Sequence, residues 1–227
     1  MAEPIPRQSV PDHVFDRLRE EILTGRYRPG DRLPSQRALA ADLDVNMSTI
    51  REALGRLEQL RLVEVRHGNA TRVLDWRKSG GLESLVLHGG GPGEPLFVDL
   101  FEARRLLLVE SARLAAERRN DEQSGALLRL ASAVALGGDA ERALLADWEF
   151  MAALVEAAGN LVFQLVMNSV RELYLPRAQA FAALVSGLDE LVPLYVQTAL
   201  AVAECDGEAA ARAIARLTAA QEARLAG

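Results

Sequence analysis

Residues 47–51, Met-Ser-Thr-Ile-Arg, place two hydroxyls and a guanidinium within one turn of what reads as a helix start. Hydroxyls, a cationic fork and the unpaired amides of a helix N-terminus are the groups that grip phosphate oxygens and reach base edges. Downstream, Arg66-His67-Gly68-Asn69 lies between two short alternating runs, Leu62–Val65 and Thr71–Leu74, as the tip of a hairpin. Little else in the chain suits covalent chemistry. Cys205 is the one cysteine, and the three histidines, His13, His67 and His88, all fall in the first part of the chain. No intramolecular disulfide or cysteine metal cluster can be assembled from that set, and the C-terminal part offers no histidine base for a nucleophile. The glycine cluster around residues 89–93 follows no strand and lacks the Gly-Lys-Ser/Thr of a phosphate loop, so it reads as a flexible joint. An enzyme is not expected, and no cofactor is called for.

The elements needed to present those residues can be read from spacing. Val14, Leu18 and Ile22 recur at i, i+4 and i+8, which predicts a helix from about Pro11 to Thr24 with Gly25 beyond its end. A connector rich in Pro and Gly follows. Ser35 caps a second helix with Leu39 and Leu43 inward, Asp44-Val45 makes the turn, and Asn46 or Ser48 caps a third helix with Ile50, Leu54 and Leu57 inward. Met47, Ser48, Thr49 and Arg51 are then left on the exposed first turn. Two short helices, a tight turn and a hairpin make a winged helix-turn-helix, which sets one helix in the major groove of duplex DNA. From Pro95 onward the pattern is helical throughout, with helices expected at about 95–118, 121–136, 140–158, 161–185, 188–204 and 207–225. The fold class is mainly α: a loose arm over 1–10, a winged helix-turn-helix over 11–74, a linker over 75–94, and an all-α bundle over 95–227 large enough to enclose a pocket.

Charge agrees with that division. The net charge of −6 hides an asymmetry, because the first 80 residues carry 14 Lys+Arg against 12 Asp+Glu while the remainder carries 12 against 20. Neither part has the basic excess of a non-specific nucleic-acid binder, so affinity must rest on a few placed contacts. The N-terminus has no apolar run of the kind a secretory leader needs, and no stretch approaches the roughly 20 apolar residues that cross a bilayer, so a cytoplasmic protein with no membrane partner is expected.

The run Pro29-Gly-Asp-Arg-Leu-Pro-Ser-Gln-Arg-Ala through Leu62-Val63 resembles the N-terminal signature of the GntR family of bacterial transcription regulators. The helical remainder is similar to the effector domain of its FadR subfamily, in Ala103–Ala116, Asp147-Trp-Glu-Phe150 and Ala-Gly159-Asn160. The wing and linker, His67 to Leu82, together with Asn168 and Leu173-Tyr174, look like the fatty-acid-responsive members. The resemblance implies a homodimer on a palindromic operator, released by long-chain acyl-CoA or fatty acid; the alternative effector is a small organic or sugar acid. Carried over position by position, it puts DNA contacts at Arg37, Ser48, Thr49, Arg51, His67 and Gly68. Met47 stands where the family usually has Arg, so a possible guanine contact is lost. Arg51 has a second reading, an intramolecular ion pair with an acidic neighbour.

Many members of the subfamily hold a metal with one Asp and three His. Here Asp147 keeps the carboxylate, but the three histidine positions carry Met151, Tyr195 and Leu217, a set with no imidazole, so no metal is expected. The resemblance then leaves Arg104, Asp147, Asn168, Tyr174 and Tyr195 as candidates to hold a small-molecule effector. Arg104 would meet a carboxylate or phosphate, or else pair with Asp147. Phe150, Met151, Phe163, Met167 and Phe181 read as plain core.

Overall fold

The computed structural model describes residues 9–66, 70–82, 95–136, 138–174 and 178–225. His67 and Gly68 of the expected wing tip lie outside these residues, as do most of the arm and residues 83–94 of the linker. The chain divides into two compact units, Met1–His88 and Gly89–Gly227.

In the first unit, α1 (Val10–Leu23) begins with a reciprocal cap, Ser9 accepting from the Asp12 amide and Asp12 accepting from the Ser9 amide. Its Val14, Phe15, Leu18 and Ile22 face inward. Helix α2 (Gln36–Asp42) is capped by Ser35, and α3 (Met47–Gln59) by Asn46, whose Oδ1 accepts from the Thr49 amide at 2.9 Å. The turn between α2 and α3 needs one left-handed residue, and Asp44 takes it at φ 50°, a conformation that Asp tolerates better than most side chains. Ile50, Ala53, Leu54 and Leu57 of α3 close the core against α1.

Strands β1 (Val63–Glu64) and β2 (Arg72–Val73) pair antiparallel, Val63 opposite Val73 and Glu64 opposite Arg72. The Pro/Gly-rich connector adds an isolated β-bridge to this hairpin. Leu33 N–H donates to Thr71 O and Val73 N–H to Asp31 O, both at 2.9 Å, which sets Arg32 directly opposite Arg72. Glu58 of α3 accepts from the Val65 amide at 2.8 Å and so ties the hairpin to that helix. After the hairpin, α4 (Trp76–Ser79) is a single turn. Ser79 Oγ donates to Arg61 O at 3.1 Å, and Trp76 packs partly buried on the core of this unit.

The second unit is a bundle. Helix α5 (Pro95–Arg118) and α11 (Gly207–Leu225) pack along each other, α6 (Asp121–Ala135) and α10 (Leu188–Ala203) do the same, and α7 (Ala140–Ala157) lies against α5 and α6. Alanines 112, 115 and 116 on α5 and Ala210 on α11 share one buried cluster. Small side chains let the two backbones come close, and at Gly207 an added Cβ would stand 3.2 Å from Arg113 O. In the span expected as one helix over 161–185, the described residues form α8 (Leu161–Tyr174), α9 (Ala178–Phe181) and a 3-10 turn (Ala182–Val185), so α-helical geometry ends at Phe181. Among the described residues no helix is long and apolar enough to cross a membrane.

Candidate functional site

The first turn of α3 presents its groups unevenly. Ser48 is exposed, with its hydroxyl donating to Asn46 Oδ1 at 2.6 Å, so cap and hydroxyl form one polar unit. The backbone N–H groups of Met47 and Ser48 have no hydrogen bond among the described residues and remain free for an anion. Arg51 is exposed and, among the described residues, has no ion pair, so the intramolecular alternative does not form. Arg37, on the first turn of α2, is likewise exposed and unpaired among the described residues. Met47 is half-buried. Thr49 is a correction: grouped by sequence with the exposed turn, it is 6% exposed, with its amide taken by the Asn46 cap. It sits four residues before Ala53, on the flank of the inward face, so its hydroxyl is not on the surface turn. A cleft between α2, α3 and the hairpin is lined by Gln36, Arg51, Val65 and Arg66 among others, which brings wing and reading helix to one surface.

In the second unit, Asp147 of α7 is 1% exposed and carries a saturated carboxylate. Tyr195 donates to Oδ1 at 2.5 Å, Gln221 Nε2 to Oδ1 at 2.7 Å, and Tyr174 to Oδ2 at 2.9 Å. Arg104 Nη2 lies 3.6 Å from Oδ2 and donates to Gln221 Oε1 at 2.9 Å. Gln221 Nε2 also donates to Tyr195 Oη at 2.9 Å. Five residues from five helices thus meet at one carboxylate. Burial first, and the Asp147 charge second, push both phenols well above their ordinary range, so they stay protonated donors. Arg104 Nη1 is buried with no partner among the described residues.

Four of the five effector candidates are therefore neighbours. The fifth, Asn168, is corrected: it is exposed on α8 and bonds to none of the other four. Gln221 takes its place, and the sequence did carry a signal for it. Ile214, Leu217, Thr218 and Gln221 follow the i, i+3, i+4, i+7 spacing of one buried face. The site does not suit the metal of the wider subfamily. The oxygens of Asp147 are already engaged by two phenols, an amide and a guanidinium, Met151 and Leu217 are buried hydrophobes, and Arg104 holds the cationic position. Phe150, Met151, Met167 and Phe181 are core residues, with Phe163 half-buried against them.

Comparison with known proteins places both units. Residues 11–73 match the family described as bacterial regulatory proteins, gntR family, and residues 99–220 match the FCD domain. The HTH-type transcriptional regulator Mce2R of Mycobacterium tuberculosis is 34% identical over 91% of this chain and 86% of its own length. A fatty acid metabolism regulator protein of Edwardsiella ictaluri is 30% identical over 75% of this chain and 71% of its own. Among solved structures, a GntR protein of Streptococcus agalactiae superposes with a TM-score of 0.52 at 29% identity, over 94% of this chain and 99% of that one. Regulators, not enzymes, make up these relatives. The chain belongs to the GntR family of bacterial transcription regulators, with a helix-turn-helix DNA-binding unit ahead of an FCD effector domain.

Proposed function

We propose that this regulator binds a palindromic operator as a homodimer and lets it go when its helical unit takes up an acyl ligand, a long-chain acyl-CoA or a fatty acid. The observation that carries the reading is Arg104. Its Nη1 is a buried donor with no partner among the described residues, and leaving such a group unsatisfied costs about 1–3 kcal/mol or more. Beside it stands an aromatic group. The guanidinium is 5.7 Å from the Phe101 ring centre; Phe97, Phe101 and Phe181 pack together with ring centres 4.8–6.2 Å apart, and Tyr174 lies against Phe181 at 4.8 Å. A cationic donor at the edge of an apolar wall suits a ligand with a polar acyl head and a hydrocarbon chain. The named fatty acid regulators among the relatives support the same class.

Asp147, Tyr174, Tyr195 and Gln221 act in this reading as the frame that fixes Arg104. Arg37, Met47, Ser48, Arg51 and the His67-Gly68 wing meet the operator. Half-sites in such dimers lie about 34–36 Å apart, so ligand-induced change that alters the spacing of two reading heads breaks simultaneous docking. A second reading, a small carboxylate on Arg104 alone, is favoured by the same unmatched nitrogen. Thermal-shift titrations with palmitoyl-CoA, palmitate, lactate, citrate and glucuronate separate the two. Stabilisation by the first pair, lost in Arg104→Met, supports the acyl reading; stabilisation by a small acid alone overturns it.

A further inference from the structure

Where the connector bridges to the hairpin, the exposed side chains carry a charge arrangement that folding disfavours. Arg32 on the connector and Arg72 on β2 form an isolated antiparallel bridge. The bonds that flank them run from Leu33 N–H to Thr71 O and from Val73 N–H to Asp31 O, both at 2.9 Å, and none joins Arg32 to Arg72 themselves. That is the non-hydrogen-bonded type of pair, in which side chains stand closest, with Cα atoms about 4.5 Å apart. Like charges placed directly opposite destabilise a sheet. Both arginines are exposed, and among the described residues neither has an ion pair.

Nor does the carboxylate across the ladder relieve them. Glu64 lies across from Arg72 on β1, but Arg66 already holds it with two bonds, Nε to Oε2 at 2.9 Å and Nη2 to Oε1 at 3.2 Å. The face therefore carries three guanidiniums to one carboxylate. Arg66 links this group to the reading surface, since it holds Glu64 and also lines the cleft between α2, α3 and the hairpin together with Arg51. Two exposed arginines at directly opposite positions, neither in an ion pair among the described residues, on the unit that carries the reading helix have the chemistry of a phosphodiester grip.

We infer that Arg32 and Arg72 form a phosphate clamp, a DNA contact separate from the reading helix and the wing tip. The clamp holds the backbone of duplex DNA and is indifferent to base sequence. It rests on the DNA-binding reading of this unit, but not on the identity of the effector. Its like-charge strain is relieved when a phosphate lies between the two side chains.

The test uses the full-length protein, a duplex recovered from a random library by selection on that protein, and a shuffled duplex of the same composition. Affinities of the wild type, Arg32→Gln, Arg72→Gln and the double variant are measured across a salt series by fluorescence anisotropy. Each neutralisation is expected to lower the slope of log K against log salt by about 0.9 per bound copy. Both duplexes should weaken by the same factor, and the melting temperature should stay level or rise. Arg72→Lys keeps the charge and should keep the slope. An unchanged slope overturns the clamp, and so does a loss confined to the selected duplex, since that means base reading. A fall in melting temperature with the loss of affinity overturns it too, by making the pair structural. If wild type binds neither duplex, the DNA-binding reading itself fails, which is a different result from an unchanged slope.

Discussion

Replacing Tyr195 with Phe removes one oxygen from a site that solvent does not reach. That oxygen donates to Asp147 Oδ1 at 2.5 Å and accepts from Gln221 Nε2 at 2.9 Å, and the residue is 0% exposed. A hydrogen bond to a charged group contributes about 1.5–3 kcal/mol. Gln221 Nε2 keeps its 2.7 Å bond to Asp147 but its other N–H loses its acceptor, while the T-shaped packing against Phe150 at 5.1 Å survives in a phenylalanine. The expected loss is therefore about 2–3 kcal/mol. For a chain of this size each kcal/mol moves the midpoint about 2–4 °C, so the melting temperature of the helical unit should drop by about 4–12 °C. Tyr174→Phe removes a second donor from the same carboxylate, at 2.9 Å. Because the two phenols share one acceptor, the double variant should depart from additivity by at least about 0.5 kcal/mol. Urea unfolding of the four proteins, with circular dichroism as the probe, measures the cycle. A loss below about 0.5 kcal/mol for Tyr195→Phe, or strict additivity, refutes the shared-carboxylate frame.

Three further outcomes follow from named contacts. Met47→Arg should restore a guanine contact and shift operator preference by about 1–3 kcal/mol at one base step, read by selection from a random duplex library; an unchanged preference means residue 47 does not face bases. Asn46→Ala removes the cap of α3 and should cost about 1 kcal/mol in the urea midpoint of the DNA-binding unit while weakening operator binding. The pH response should differ between the units. The raised phenols of Tyr174 and Tyr195 keep protons in the folded state that the unfolded chain releases, so their stabilisation is complete below about pH 10 and declines above it. Asp12 runs the other way, lowered to about 2 by Ser9 and then Arg56, so its contribution is present above its ordinary 3.8 and is lost as pH falls towards 2. Urea midpoints of the wild type, the double Phe variant and Asp12→Asn across that range check both signs.

The DNA-binding unit was legible because local signals agree there. Ser35 and Asn46 occupy cap positions, Leu54 and Leu57 repeat at helical spacing, and Asp44 fits the turn. What escaped was anything set by pairing between distant segments. Pro29-Gly30 hid the β-bridge that follows it, and with it the juxtaposition of Arg32 and Arg72. Thr49 was misplaced because capping residues advertise a helix start without fixing which of the next side chains turns inward. In the bundle, Asp147, Tyr174, Tyr195 and Arg104 were found by position, but their convergence with Gln221 depends on five helices packing, which no one segment encodes. Asn168 fell outside because α8 turns that residue to solvent.

The most direct measurement is the affinity of the full-length protein for its selected operator duplex with and without palmitoyl-CoA, alongside the Arg104→Met variant. Palmitoyl-CoA should weaken wild-type binding by at least about tenfold, a coupling of about 1.4 kcal/mol, and should leave the variant on its operator. Wild type that ignores palmitoyl-CoA and palmitate but is released by a small organic acid would contradict the acyl reading.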